Sequence, residues 1–135
     1  MLSLPVEIRK SPIHGYGVFA LTDIRQGRIV WQFTPGLDRV LSVFAVKNAD
    51  PQSRDYMLER GYINPREPED LVICVDEAQF MNFPRRGEKA NTELGGSVDG
   101  QSLLIASENI PAGTEITVPP ESDLDYERKM KQHET

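Results

Sequence analysis

The amino-acid sequence predicts a single, mainly β domain with short helices. Its 135 residues are a length typical of one domain. Glycine and proline occur 10 times each and are spread along the chain, so the apolar segments between them are short. Residues 29–33 and 71–75 are rich in β-branched and other apolar side chains, which favours strands. We therefore expect one domain over residues 1–122, followed by a charged tail at 123–135.

The strands follow from short runs of apolar and β-branched residues. They are predicted, in order, at residues 6–9, 18–21, 29–33, 71–75, 103–106 and 115–118. The run at 71–75 is almost continuously apolar, so we expect that strand to be buried on both faces. Residues 95–101 resemble a hairpin turn, with Asp99 and Gly100 at its apex.

Helices are predicted in two places only. Residues 42–60 form the best helical region, which Pro51 is expected to break in two. Ser53 is the candidate N-cap of the second part, and Gly61 is the candidate end. Residues 77–82 are ambiguous, and the charged tail is expected to be helical or frayed.

One pattern occurs twice. Residues 22–30 and 107–118 each contain a polar turn, an isoleucine, a glycine three residues later and then β-forming residues. Two similar tight turns leading into strands explain this repetition, and so does a shared pattern with functional meaning. The sequence leaves both interpretations open.

Charge and cysteine content restrict the partners and the compartment. Acidic residues outnumber basic ones 21 to 15, for a net charge of -6. This argues against direct nucleic-acid binding and favours basic partners such as lysine-rich segments. The single Cys74 excludes an internal disulfide and a cysteine-rich zinc module, so we expect no metal site, a buried thiol and a reducing compartment. No apolar run approaches the length of a membrane span, and we predict a cytoplasmic protein without membrane contact.

Two polar motifs could contact a ligand. Gly15 and Gly17 flank Tyr16, and such a pair allows a sharp turn and close backbone approach to a ligand. Taken alone, that motif fits a hairpin turn better than a ligand site. Asn82 and Asn91 lie in a loop beside apolar residues, where their amides could bind a ligand or satisfy turn backbone.

The order of these motifs resembles the SET domain of protein-lysine methyltransferases, especially the short free-standing kind of bacteria and viruses. The resemblance begins with Ser11 and the glycine pair at 15–17 and continues through Asn82 and Asn91. It closes with the pattern A-x-x-x-I-x-x-G-x-E-I-T at residues 106–117. It covers most of the chain, from about residue 6 to 118.

The resemblance implies a β-clip of small sheets with a C-terminal pseudoknot. It implies methylation of a lysine side chain in a protein substrate, with S-adenosylmethionine as the cofactor. The cofactor would contact Gly15, Tyr16, Gly17 and Asn82. The substrate lysine would enter a narrow channel lined by Tyr56, and a lysine-rich protein or peptide is the expected partner. The sequence leaves a homodimer open.

The sequence departs from the family pattern at the site itself. The usual N-H-S reads Asn82-Phe83-Pro84, and Pro119 and Pro120 stand where a tyrosine is usual. No tyrosine follows until Tyr126. Either Tyr126 supplies the missing catalytic aromatic, or the site has decayed. In the second case the chain is a catalytically silent module that binds the cofactor or a basic peptide.

Three other residues have bland and functional interpretations. Trp31 lies in a predicted strand and fits the core better than a methyl-lysine cage. His14 precedes the glycine pair and fits an exposed loop histidine better than a base. Tyr62 could line a groove or pack on the surface.

Overall fold

The computed structural model describes residues 1–98 and 100–134 of the chain. The described part contains nine short strands: β1 Val6–Lys10, β2 Tyr16–Ala20, β3 Ile29–Gln32, β4 Arg39–Ser42, β5 Tyr62–Ile63, β6 Asp70–Ile73, β7 Thr92–Val98, β8 Gln101–Ala106 and β9 Glu115–Ile116. Its α-helices are α1 Val43–Lys47, α2 Pro51–Arg60 and α3 Tyr126–His133. The prediction of a mainly β chain with short helices is confirmed. None of the described helices is long and apolar enough to cross a membrane.

The strands form three small antiparallel sheets. Their strand orders are β1-β2-β9, β3-β8-β7 and β4-β6-β5. The first sheet covers a core whose largest members are branched aliphatic residues: Val18, Val30, Ile24, Ile110 and Ile116. Such side chains lose little χ1 freedom in strands, so they pack this small core tightly.

The repeated turn pattern has a structural explanation. Ile24 and Ile110, the isoleucines of the two copies, form an antiparallel bridge and are each 1% exposed. Their backbones exchange two hydrogen bonds of 2.8 Å. The two turns therefore pair with each other and close the same core.

The C-terminal segment is hydrogen-bonded on both of its sides. Val118 N donates to Asn82 O at 2.9 Å, and Asn82 forms a parallel bridge with Thr117. On the other side, Asn91 Nδ2 donates to Glu115 O at 2.8 Å, and Thr117 N donates to Asn91 Oδ1 at 2.9 Å. This two-sided pairing matches the crossing of the C-terminal segment that the resemblance implies.

Helix α2 begins differently from the prediction. Pro51 does separate two helices, but it occupies the first turn of α2, where its missing N–H costs nothing. Asp50, not Ser53, is the N-cap, since its carboxylate accepts from Ser53 N at 3.1 Å. Gly61 ends the helix as predicted. No residue of α2 is buried.

The other boundaries differ by a few residues. The strand predicted at 71–75 is Asp70–Ile73, with Leu71 and Val72 buried. The ambiguous region at 77–82 starts with a 3-10 turn, Glu77–Phe80. The hairpin predicted at 95–101 is present, but its strands are longer than expected: β7 and β8 pair antiparallel as far as Val98 and Gln101, and Asp99 lies outside the described residues.

The charged C-terminal segment packs against the sheets. Leu124 N donates to Ile63 O at 3.1 Å, which joins it to β5. Lys129 and Met130 of α3 are buried, at 5% and 6% exposure. The division of the chain after residue 122 stays a prediction.

Candidate functional site

A cavity of about 310 Å³ lies beside the glycine pair. One side, called the loop wall here, consists of Gly15, Tyr16 and Asn82. Another, called the ring wall, consists of Trp31, Tyr62 and Cys74. The remaining lining residues used below are His14, Glu59, Arg60, Asp123, Lys129 and His133.

The loop wall is held together by one side-chain amide. Asn82 Nδ2 donates to His14 O at 2.9 Å, to Tyr16 O at 3.1 Å and to Glu115 Oε2 at 2.9 Å. The amide has two N–H groups, so three acceptors share them. Asn82 therefore fixes the backbone on both sides of Gly15 in one conformation.

The two glycines serve different purposes. Gly15 has φ of +49° and no neighbour within 4 Å of where a Cβ would lie, so it provides the left-handed turn. A Cβ on Gly17 would lie 2.2 Å from Glu115 Oε2. The same carboxylate accepts from Ser11 Oγ, at 2.7 Å to Oε1. The lack of a side chain at Gly17 therefore makes room for the Glu115 carboxylate, which belongs to the chain itself.

The ring wall is apolar and has unpaired donors. The Trp31 and Tyr62 rings pack edge to face, with centroids 6.0 Å apart. Among the described residues, the buried Tyr62 hydroxyl and Trp31 Nε1 make no hydrogen bond; the weakly accepting Cys74 sulfur lies near the Trp31 N–H. Burial raises the pKa of Tyr62 and of Cys74, so both stay protonated. Unpaired buried donors are costly, and such positions suit a ligand that completes them.

A buried ion pair also lines the cavity. Lys129 Nζ lies 2.7 Å from Asp123 Oδ2, with side-chain exposures of 6% and 1%. Lys129 also donates to Gly61 O, and Ile63 N donates to Asp123 Oδ1 at 3.0 Å. These bonds satisfy both charges and fix α3 against β5.

Two histidines line the cavity as well, and His133 lies one turn after Lys129 on α3. The His14 and His133 rings stack, with centroids 3.7 Å apart and planes 11° apart. His133 Nε2 lies 2.8 Å from Glu59 Oε1. Burial and the neighbouring His133 lower the pKa of His14. A second cavity, of about 180 Å³, shares both histidines with the first, so the stacked rings lie where the two cavities meet.

The structure brings most of the predicted cofactor residues together. Gly15, Tyr16 and Asn82 line the cavity, and Gly17 lies behind them against Glu115. Their role in cofactor binding stays a prediction.

The two predicted catalytic tyrosines lie elsewhere. Tyr56 is on α2, 58% exposed, with the Arg60 guanidinium 5.9 Å from its ring. Tyr126 packs edge to face against Phe83, with centroids 4.8 Å apart, and the Arg86 guanidinium lies 5.7 Å from its ring. Neither is among the described residues that line the cavity. Among the described residues, the tyrosines that do line it are Tyr16 of the loop wall and Tyr62 of the ring wall.

Comparison with known proteins shows which family and which solved structures this chain is similar to. The family model described as SET domain matches residues 15–119. The fold is similar to Chaetomium thermophilum Polycomb Repressive Complex 2 bound to S-adenosylmethionine, with a TM-score of 0.67, 18% identity, 96% of this chain covered and 17% of that one. It is also similar to DIM-5, a Neurospora SET domain histone lysine methyltransferase, with a TM-score of 0.60, 16% identity and coverages of 87% and 52%.

A third similar structure is of comparable size. It is a candidate histone methyltransferase of Plasmodium falciparum, with a TM-score of 0.55, 17% identity and coverages of 87% of this chain and 93% of that one. At these identities the likeness shows the fold. The chain spans less than a fifth of the length of the Polycomb chain that it matches.

Proposed function

The chain belongs to the SET domain family, and from that premise we propose that it binds S-adenosylmethionine and methylates a lysine side chain of a protein. S-adenosylmethionine is the cofactor of this family. One observation carries the proposal: the cavity joins a preorganised backbone loop to a buried tyrosine hydroxyl without a partner.

The residues present suit that cofactor. The cavity of about 310 Å³ reaches the size range of small-molecule sites. Gly15 leaves the backbone of the loop wall open to a ligand, because no side chain covers it. The Tyr62 hydroxyl and the Trp31 N–H offer polar partners in the mainly apolar ring wall. Gly15, Tyr16 and Asn82 would hold the cofactor at the loop wall.

The ring wall suits a lysine substrate. When bound, S-adenosylmethionine supplies a sulfonium methyl group, which only a neutral lysine amine can accept. Trp31 and Tyr62 would exclude water, and an apolar environment lowers the pKa of a lysine so that it releases its proton. The Tyr62 hydroxyl would then orient the amine as a hydrogen-bond partner, because its raised pKa rules out a phenolate base at neutral pH.

The expected partner is a basic segment of a protein. The net charge of -6 favours approach of a lysine-rich peptide. The single buried thiol suits the cytoplasm, which we propose as the compartment.

A specific observation favours a second function, that of a catalytically silent module. Tyr126, the nearest tyrosine after Pro119 and Pro120, is not itself among the described residues that line the cavity, although its ring packs on Phe83, which is. In this alternative the chain binds the cofactor or a basic peptide without methyl transfer.

Calorimetric titration with S-adenosylmethionine and S-adenosylhomocysteine tests cofactor binding first. We expect micromolar binding by the wild type and weaker binding by Tyr16→Ala, which removes an exposed side chain of the loop wall. Tyr56→Ala is the matched control, because Tyr56 is as exposed but lies outside the lining. No binding by protein that melts cooperatively would overturn the proposed cofactor.

Transfer of a labelled methyl group to lysine-rich peptides separates the two functions. Transfer that depends on Tyr62 supports the enzyme. Binding of cofactor without transfer to any peptide or to the chain itself supports the silent module. Loss of transfer in Tyr56→Ala with cofactor binding intact would place Tyr56 at the lysine channel.

A further inference from the structure

Both histidines of the chain meet at one point of the fold. The sequence contains two, at positions 14 and 133, and their rings stack at 3.7 Å. Glu59 of α2 joins them from a third segment, with Oε1 at 2.8 Å from His133 Nε2 and 3.9 Å from His14 Nε2. One ligand atom from each of the three residues lies within 4.8 Å of the other two.

Two imidazole nitrogens and one carboxylate oxygen are a donor set that borderline divalent metals prefer. Zn²⁺ binds this combination at about 2.0–2.2 Å, often with water in the fourth position. Mg²⁺ and Ca²⁺ prefer oxygen ligands, and thiophilic ions prefer sulfur. The chemistry therefore selects the Zn²⁺, Co²⁺ and Ni²⁺ class.

The geometry requires one small adjustment. Parallel rings cannot both point a nitrogen lone pair at the same ion, so one ring must turn. His14 is the ring that can do so, because its side chain is 41% exposed and it lies in a loop. His133, with a side chain 17% exposed, is already oriented by Glu59.

The surrounding charges leave room for a cation. Two neighbouring arginines have other partners. The Arg60 guanidinium lies 4.5 Å from the centroid of the Phe80 ring, and Arg128, which interacts electrostatically with Glu59, pairs with Asp125 at 2.5 Å. Glu59 supplies the negative charge that a divalent ion needs. The cluster also opens onto both cavities, so an ion can enter from solvent.

We propose that His14, Glu59 and His133 bind one divalent transition-metal ion of the Zn²⁺ class. The ion would tie three segments that are distant in sequence, namely the loop before β2, the end of α2 and the end of α3. The single cysteine leads to the expectation that the chain has no metal site. Cysteine content, however, indicates only whether thiolate sites are possible, and this site has histidine and carboxylate ligands. The proposal does not depend on methyl transfer or on cofactor binding.

Metal titration of untagged, chelator-treated protein tests this directly. With ZnCl₂, calorimetry and metal analysis should give one ion per chain and a higher melting temperature. His14→Gln, His133→Gln and Glu59→Gln should each weaken Zn²⁺ binding by about tenfold or more. Glu67→Gln is the matched control, since it removes an exposed carboxylate that is not among the described residues lining either cavity, and it should bind as the wild type does.

Cobalt gives an independent spectroscopic readout. With CoCl₂ we expect visible d–d bands without a near-ultraviolet thiolate charge-transfer band, because the ligands are nitrogen and oxygen. A thiolate band would assign the ion to Cys74 and overturn the proposal. So would the absence of Zn²⁺ binding in wild type that melts cooperatively, or binding unchanged in the two histidine variants. His14→Gln keeps the test valid if His133→Gln fails to fold, because His14 lies on an exposed loop.

Discussion

The loop wall and the ring wall of the cavity satisfy their polar groups in opposite ways. In the loop wall, Asn82 donates to two backbone carbonyls and to Glu115, which also accepts from Ser11. In the ring wall, the Trp31 N–H and the Tyr62 hydroxyl are buried without hydrogen bonds. The first wall is thus a structural element that positions backbone, whereas the second retains binding capacity that folding has not used.

This contrast predicts which substitutions disturb the fold and which disturb a ligand. Changes to Asn82, or to the glycines of the backbone that it holds, should lower the free energy of unfolding, because the Asn82 amide and that backbone have internal partners. Changes to the donors of the ring wall should cost little stability and affect binding. The following substitutions are ordered by their expected effect on stability.

Asn82→Asp should have the largest effect. It removes the donors to His14 and Tyr16 and puts a second carboxylate about 2.9 Å from that of Glu115. We expect a loss of about 3 kcal/mol in the free energy of unfolding at pH 8, measured by urea denaturation. The repulsion raises the pKa of the introduced carboxyl in the folded state, so the deficit should shrink as pH falls and protonation removes the charge.

Asn109→Asp is the matched control. Asn109 is exposed, and its Oδ1 accepts from Gln26 N at 2.9 Å, a bond that a carboxylate can also make. It should therefore change stability little. Equal losses in the two variants would show that the Asn82 amide does not hold the loop wall together.

Gly17→Ala should cost somewhat less. The added Cβ would lie 2.2 Å from Glu115 Oε2 and 3.2 Å from Ser11 Cβ, so the carboxylate must move and lose bonds. We expect a loss of about 2 kcal/mol, against about 1 kcal/mol for Gly15→Ala, which suffers only from its positive φ. Thermal melts of both variants measure the difference. A larger loss in Gly15→Ala than in Gly17→Ala would contradict the importance of the close approach between Gly17 and Glu115.

Cys74→Ser should have a small effect on stability. Cys74 is 6% exposed and packs in the cluster that contains Trp31 and Leu104. Burying a hydroxyl there should cost about 1 kcal/mol, moderated because the new oxygen can accept from the Trp31 N–H. Full stability combined with lost methyl transfer, in the same urea and labelling assays, would contradict a core role for this residue.

Sequence predicts the sheets better than the site. The apolar runs of β1, β2, β3, β6 and β8 predict those strands, and the paired turns at Ile24 and Ile110 are recognisable as a repeated pattern. Strands β4 and β7 are not predicted, because β4 mixes polar and apolar residues and β7 contains two glycines. Strand β5 has two residues, Tyr62 and Ile63, too few to show any period. Tyr62 was therefore indistinguishable from a surface tyrosine.

Contacts between side chains from distant segments are equally difficult to predict from the sequence. The sequence of α2 has no apolar stripe, and no residue of the helix is buried. The orientation of Tyr56 or Glu59 therefore cannot be predicted from the sequence. His14 and His133 lie near opposite ends of the chain, and only the packing of α3 brings them together. Glu115 looked like a strand residue, although its carboxylate is the acceptor that Gly17 makes room for.

Tyr62→Phe should leave the free energy of unfolding almost unchanged, and it separates the two walls most clearly. The hydroxyl has no partner in the structure, so its removal breaks no bond and can relieve the cost of a buried donor. Ligand binding should respond differently: if the hydroxyl meets a cofactor or a lysine amine, affinity or methyl transfer should fall by about tenfold, equivalent to about 1.4 kcal/mol. Tyr126→Phe, which keeps the ring packed on Phe83, is the matched control and tests whether Tyr126 supplies the missing catalytic aromatic. A stable Tyr62→Phe variant with wild-type binding and transfer would show that the Tyr62 hydroxyl has no role in ligand binding. Loss of methyl transfer in Tyr126→Phe alone would place the reacting site beside Phe83 and Tyr126.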